Sequence, residues 1–239
     1  MNKKLIFTLV ATSLSTSALA EGLNLNPVVV TATRIEQNSF DLPVSIDVVD
    51  ERAIRDGQLQ MTLSESLIRV PGITAQNRNQ QAQDPQLSTR GFGSRSSFGV
   101  RGIRLYVDGI PLTMPDGQGQ PGAVDLSAIK SIEDMRGPFS SLYGNSSGGV
   151  IQMISDSAPK TPEVGAQFMY GSYGTQREVL NAAGTQGIFE YMLNVSNFDT
   201  DGYRDHSASR KKQATAKFKF NFSESTKLTT LINWFDQTA

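Results

Sequence analysis

The chain has 239 residues, with 22 basic against 23 acidic side chains and a formal net charge of −1, so it offers no basic footprint for nucleic acid. It contains no cysteine, which excludes disulfides and thiolate metal sites and suits an oxidising compartment. Glycine is frequent at 21 residues while hydrophobic residues make up only 38%, a balance expected of β structure with many turns.

The N-terminus carries Lys3 and Lys4, an apolar stretch opening at Leu5–Val10, and the small-x-small site Ala18-Leu19-Ala20. This pattern predicts an export signal over residues 1–20, cleaved before Glu21. Its apolar core is too short for a membrane anchor. No later run approaches the ~18 apolar residues of a spanning helix. A membrane-embedded product would therefore be built of strands. In the N-terminal segment 21–40, Pro27 leads into Val28-Val29-Val30-Thr31-Ala32-Thr33. β-Branched residues favour extended backbone, and Pro27 pre-sets an extended entry. Two readings stay open: the segment adds to the sheet edge of another protein, or it is a strand of the chain's own sheet.

Residues 41–157 read as one mixed α+β domain. Val44, Ile46 and Val48 alternate with Ser45 and Asp47, as in a half-buried strand. Asp50 is placed to cap a helix over Glu51–Asp56 that Gly57 ends. Thr62 and Glu65 have capping-box spacing ahead of Leu63, Leu67 and Val70, and Pro71-Gly72 stops that helix. Asn77–Pro85 is a polar loop. Leu105-Tyr106-Val107 is a strand closed by the turn pair Asp108-Gly109. Leu112–Gly122 is a second polar loop. Strands are expected around Ile129, Ile132 and Met135, ending at Arg136-Gly137-Pro138, and over Gly148–Ile154.

From residue 158 the pattern becomes serial two-residue alternation. Phe168 and Tyr170 share a face. Phe189, Tyr191, Leu193 and Val195 oppose Glu190, Asn194 and Ser196. Ala216, Phe218, Phe220 and Phe222 oppose Lys217, Lys219 and Asn221, and Leu228, Thr230, Ile232 and Trp234 follow the same rule. Apolar faces rich in aromatics, separated by turns, mark strands of a transmembrane barrel. A soluble β-sandwich with one wet face is the competing reading, and the export signal and the aromatic weighting favour the barrel. About five such strands fit into residues 158–239. Plugged barrels use about 22, so the fold class is an α+β plug domain followed by antiparallel strands of an incomplete transmembrane β-barrel. The chain is expected to be either a partial sequence or a truncated gene product.

Several motifs carry no chemistry. Gly117-Gln118-Gly119-Gln120-Pro121-Gly122 fits a dinucleotide fingerprint literally, but Pro121 interrupts it and no long helix follows. His206 is the only histidine, so no histidine pair exists for a metal. Neither an enzyme, a cofactor nor a metal site is expected.

The residues now quoted resemble the TonB-dependent outer-membrane receptor family along the whole chain. NPVVVTATR (26–34) resembles a TonB box. LSESLIRVPGI (63–73), RGFG (90–93) and RLYVDGIPL (104–112) resemble plug signatures. The most specific match is AIKSIEDMRGPFSSLYGNSSGGVIQMIS (128–155). The resemblance implies an outer-membrane location in a Gram-negative bacterium, with the plug inside a barrel. It implies substrate bound from outside and a TonB box released to pair with the TonB C-terminal domain. On that analogy Val28, Val29, Val30, Thr31 and Ala32 are the TonB contacts.

It also places Glu133 and Arg136 in the plug's structural and coupling core, where buried charges should be paired. Substrate is sought in loops 77–98 and 114–120, which carry Arg78, Arg95, Asp116, Gln118 and Gln120. Arginines there suit an anionic ligand. The family's commonest role puts ferric siderophores first. TMPDGQGQ (113–120) is similar to a subgroup tied to pyrroloquinoline quinone, and corrinoids are a third class. The expected partners are TonB with its energising complex, the small-molecule substrate and outer-membrane lipid. Two other readings are a non-transporting plug module that binds TonB in the periplasm, and a small closed barrel. Single-chain bacterial barrels have at least eight strands, which argues against the last.

Overall fold

The computed structural model describes residues 29–30, 37–38, 44–77, 81–96, 99–114, 116–137, 139–144 and 146–239. The expected export signal, residues Val28, Thr31 and Ala32 of the valine segment, and Arg78 lie outside the described residues. Near the N-terminus, β1 (Val29–Val30) pairs antiparallel with β2 (Gln37–Asn38).

The plug consists of β3 (Ser45–Val49), α1 (Glu51–Arg55), α2 (Leu63–Leu67), β4 (Ile73–Gln76), β5 (Gln86–Thr89), β6 (Ile103–Val107), β7 (Ile110–Pro111), β8 (Ile129–Arg136), α3 (Ser140–Tyr143) and β9 (Gly149–Ser155). Its main sheet has the order β3-β8-β9-β6-β7, with β6 and β9 parallel and the other pairs antiparallel. The inner strands β6 and β9 are mostly apolar, as expected where both faces are covered, while β8 buries Glu133 and Asp134 between Ile132 and Met135. Ile54 from α1, Leu63 and Leu67 from α2, and Leu87 from β5 close the core over Leu105, Ile132, Ile151 and Met153.

Local signals explain most of these elements. The Asp50 carboxylate accepts the Ala53 N–H at 2.8 Å, and α1 ends at Arg55, one residue earlier than expected, with Gly57 at φ +68° beyond it. Glu65 reaches back to accept the N–H groups of Gln60 (2.7 Å), Met61 (3.0 Å) and Thr62 (2.9 Å). That satisfies donors a helix start leaves orphaned. The helix is shorter than its periodicity suggests, because Val70 packs from the turn after it rather than from the helix itself. Asp108 and Gly109 both have positive φ, at 49° and 80°, as a two-residue hairpin turn requires.

The hairpin β4–β5 around the Asn77–Pro85 loop was not anticipated. Each of its strands carries a single large apolar residue, Ile73 or Leu87, which is too little for a two-residue period to register.

The second sheet is a sequential antiparallel meander of β10 (Glu163–Tyr170), β11 (Gln176–Gln186), β12 (Phe189–Thr200), β13 (Ser209–Asn221) and β14 (Lys227–Thr238). Its five strands form an open sheet among the described residues. The burial pattern is inverted relative to a soluble sheet. Val164, Phe168, Tyr170, Leu180, Val195, Ile232 and Trp234 are exposed, while Arg177, Asn194, Ser196, Lys211, Gln213 and Thr215 are buried against the plug. Apolar outside and polar inside is the dressing of a barrel wall that meets lipid. Phe189, Tyr191, Phe218, Phe220 and Phe222 stack at one rim, where β12 begins and β13 ends, in the place of an interfacial aromatic girdle.

Candidate functional site

Three places bear on the sequence expectations: the valine segment, the polar loops, and the seam between plug and wall. In the valine segment, Val29 and Val30 stand opposite Asn38 and Gln37. The segment thus has a partner within its own chain, but a two-residue ladder is a weak one.

Among the polar loops, Arg95 is exposed on a turn. Asp116 pairs with Arg101 at 3.2 Å and accepts the Gln118 N–H at 2.9 Å, and Arg101 also reaches the Gln118 side-chain oxygen at 3.5 Å. Asp116 and Gln118 are therefore partly occupied by each other and by Arg101. That pair is half exposed, so it contributes little to stability. Gln120 is placed differently. It borders a cleft of about 350 Å³ whose rim includes Gln81, Asp84, Lys211, Phe235 and Gln237. Asp84 accepts the Gly122 N–H at 3.0 Å. Burial pushes the Asp84 carboxyl above its usual range, against the opposing pull of that hydrogen bond and of Lys211.

Sequence reasoning missed Asp84, Lys211 and Gln237. The signal for the last two was their phase, since both occupy inward positions of an alternating strand. Arg95 stands on a different turn from Asp116, Gln118 and Gln120, which share one loop, and only Gln120 among the four lines the cleft.

The seam is a network of polar bonds centred on Asp125, which sits in the plug just before a short 3-10 turn at Leu126–Ala128. Asp125 Oδ1 accepts from Arg177 Nη2 (2.9 Å), Ser127 N–H (3.0 Å) and Ser127 Oγ (2.5 Å). Oδ2 accepts from Asn194 Nδ2 (3.0 Å) and Ser196 Oγ (2.6 Å). The Arg177 and Asp125 side chains are 0% and 1% exposed. Further along the wall, Lys211 donates to the Gly122 carbonyl at 2.6 Å, and Lys217 approaches Asp108 at 3.1 Å and Ser155 Oγ at 2.8 Å.

Within the plug, Arg136 bonds the Pro71 carbonyl, Ser45 Oγ and the Asp47 carboxylate, as expected of a buried charge in this signature. Glu133 is also buried in β8, three positions along and on the opposite face of the strand. Asp134 was not singled out by the sequence. It is fully buried, and Arg136 Nε lies 3.7 Å from it. Neither of its oxygens has a hydrogen-bond donor among the described residues. Burial raises its carboxyl to about 7, with the positive charge of Arg136 opposing.

Residues 38–150 match the family model described as TonB-dependent Receptor Plug Domain. The vitamin B12 transporter BtuB of Vibrio vulnificus (strain YJ016) is 29% identical over 185 residues, covering 74% of this chain and 28% of that protein. The hemin receptor of Yersinia pestis is 29% identical over 169 residues, covering 70% and 24%. The chain thus spans about a quarter of the length of these curated relatives. The crystal structure of the ferripyoverdine receptor of the outer membrane of Pseudomonas aeruginosa superposes with a TM-score of 0.73 at 21% identity, covering 88% of this chain and 28% of that one. Residues 38–150 thus carry the plug domain of TonB-dependent receptors, and with the strands whose polar face is turned onto it the chain has the fold of part of such a receptor.

Proposed function

We propose that the chain is the N-terminal part of an outer-membrane receptor that takes up a scarce ligand by TonB-energised transport. The observation that carries this reading is the inverted sheet: its apolar face is turned outward and its polar face is bonded to the plug. A plug fixed on the lumen side of a wall blocks a pore until energy is supplied. Relatives named for vitamin B12, hemin and ferripyoverdine support a bulky, rare cargo. A ferric siderophore is the leading substrate, bound near Gln120 and the Asp84–Lys211 cleft. Pyrroloquinoline quinone and corrinoids are the alternatives. Arg78 and Arg95 bring positive charge to the 77–98 segment of the sequence, which suits an anionic chelate.

In this reading Val29 and Val30 leave the short β1–β2 pair, and Val28, Val29, Val30, Thr31 and Ala32 add as a strand to the TonB C-terminal domain. Val30→Pro removes a backbone donor from that ladder. In cells expressing the receptor, uptake of radio-iron from a panel of siderophores, alongside labelled corrinoid, is expected to depend on TonB and to fail in Val30→Pro. Binding at the cell surface is expected to persist. Undiminished uptake in Val30→Pro would refute the TonB assignment, and uptake of none of the panel would refute the substrate class.

A further inference from the structure

We propose that Asp125 is the positioning residue that seats the plug on the barrel wall, and that its carboxylate keeps the seam along β11 and β12 closed to solutes. The inference rests on the reading of residues 158–239 as a barrel wall.

Three wall side chains from two adjacent strands converge on this one group: Arg177 of β11, and Asn194 and Ser196 of β12. With the two bonds from Ser127, five donors meet two oxygens, which is full occupancy for a carboxylate. Arg177 extends the link by donating to the Gln60 carbonyl at 2.9 Å, so the same arginine ties the wall to the segment before α2. Asn194 also donates to Ser127 Oγ at 2.9 Å.

The other seam bonds are of a different kind. Lys211 and Gln213 donate to backbone carbonyls of Gly122 and Ala123, which any side chain at those plug positions preserves. The Lys217–Asp108 pair is partly exposed, and Asp108 is also bonded by Ser155. At Asp125 the plug side chain itself is the acceptor and solvent is excluded. Asparagine there keeps the N-cap bond to Ser127, because it caps as well as aspartate does. It turns one acceptor into a donor amid donors and strands the Arg177 charge. The plug's own turn is therefore preserved and Arg177 keeps a neutral acceptor at Oδ1, while the Oδ2 bonds from Asn194 and Ser196 are lost and the arginine's charge is left uncompensated.

Thr215 supplies the reporter. It is buried on the inner face of β13 and stands opposite Asn194 across the strand pair. Residues 1–239 contain no cysteine, so Thr215→Cys, in a receptor with any cysteine outside this segment replaced, provides one thiol beside the seam. The experiment uses the membrane-embedded receptor and a water-soluble maleimide. Ser223→Cys, in the exposed turn after β13, serves as an accessible control, and barrel assembly is read separately from heat-modifiable gel mobility.

The Thr215→Cys thiol is expected to label slowly with Asp125 present. With Asp125→Asn it should label at least about tenfold faster, the scale of one charge-assisted bond, while the control is unchanged. Arg177→Gln alone should resemble Asp125→Asn, and the double variant should label no faster than either. Equal labelling with and without Asp125→Asn in assembled barrels overturns the proposal, as does strict additivity of the two substitutions. If Asp125→Asn does not assemble, recovery of assembly in Asp125→Asn/Arg177→Gln supports the proposal and continued failure overturns it. Absence of a heat-modifiable form of the unsubstituted receptor overturns the barrel reading, and this inference with it.

Discussion

Replacing Ile232 by arginine separates a lipid-facing wall from the wet face of a soluble sheet. Ile232 is 54% exposed, and on a water-facing sheet such a change costs within about 0.5 kcal/mol. Ile232 is the sixth residue of β14, which runs from Lys227 to Thr238, so it lies near the middle of the crossing. At the midplane an outward arginine costs about 2–4 kcal/mol. Leu228 lies four residues nearer one end on the same face. At roughly 3.4 Å per residue and a tilt near 45°, that is roughly 10 Å closer to the interface. An arginine there should cost only about 0–1 kcal/mol. The assay is folding of the receptor into lipid vesicles across a urea series, with the folded fraction read from gel mobility. A depth gradient, with Ile232→Arg worse than Leu228→Arg by about 2 kcal/mol, is the expected result. Two variants equal to each other and to the unsubstituted protein would show that this face meets water.

Asp134 gives a pH signature. Its carboxyl keeps its proton up to about 7 in the folded plug, against 3.8 when unperturbed. The folded state therefore binds more protons between these values, and stability falls as pH rises from about 4 to 7 and then levels. At 1.36 kcal/mol per pH unit the total is about 4 kcal/mol. Asp134→Asn should flatten that slope in urea titrations of the plug at a series of pH values, and an unchanged slope would refute the assignment. Glu65→Ala orphans three backbone N–H groups at the start of α2 and should cost about 2–3 kcal/mol, measured as a lowered denaturation midpoint. A loss under 0.5 kcal/mol, the size of a bland surface change, would mean water replaces the carboxylate there. Leu105→Ala, at a fully buried site in β6, should cost about 2–5 kcal/mol by the cavity it leaves, and the same midpoint checks it.

Elements were legible in the sequence where a local device announced them. The Asp50 cap, the Glu65 capping box and the Asp108-Gly109 turn depend on residues a few positions apart, and each is found as expected. The wall strands were legible because an exposed apolar face and a polar face bonded to the plug impose opposite demands on alternate residues, so the two-residue period persists over 8 to 13 residues. The seam was not legible. Arg177 and Asn194 lie 52 and 69 positions from Asp125, and each taken alone is an ordinary polar residue. Arg177 in particular sits in a run that reads as unremarkable strand, and only the plug packed over it reveals a buried charge. The loop candidates were legible as loops but not as a site. Composition cannot show that Asp116 turns toward Arg101 while Gln120 turns toward a cleft.

The outward face of β14 carries the chain's single tryptophan, Trp234, two residues along from Ile232. An indole there leaves water only when the wall enters a bilayer, so its emission should shift to the blue on insertion. Folding of the plug alone should leave the emission unchanged. Brominated lipids, which quench by contact, should then report how deep it rests. In a receptor whose tryptophans outside this segment are replaced, Trp234 is thus a native optical gauge of whether, and how far, the wall has crossed into lipid, and no label need be attached.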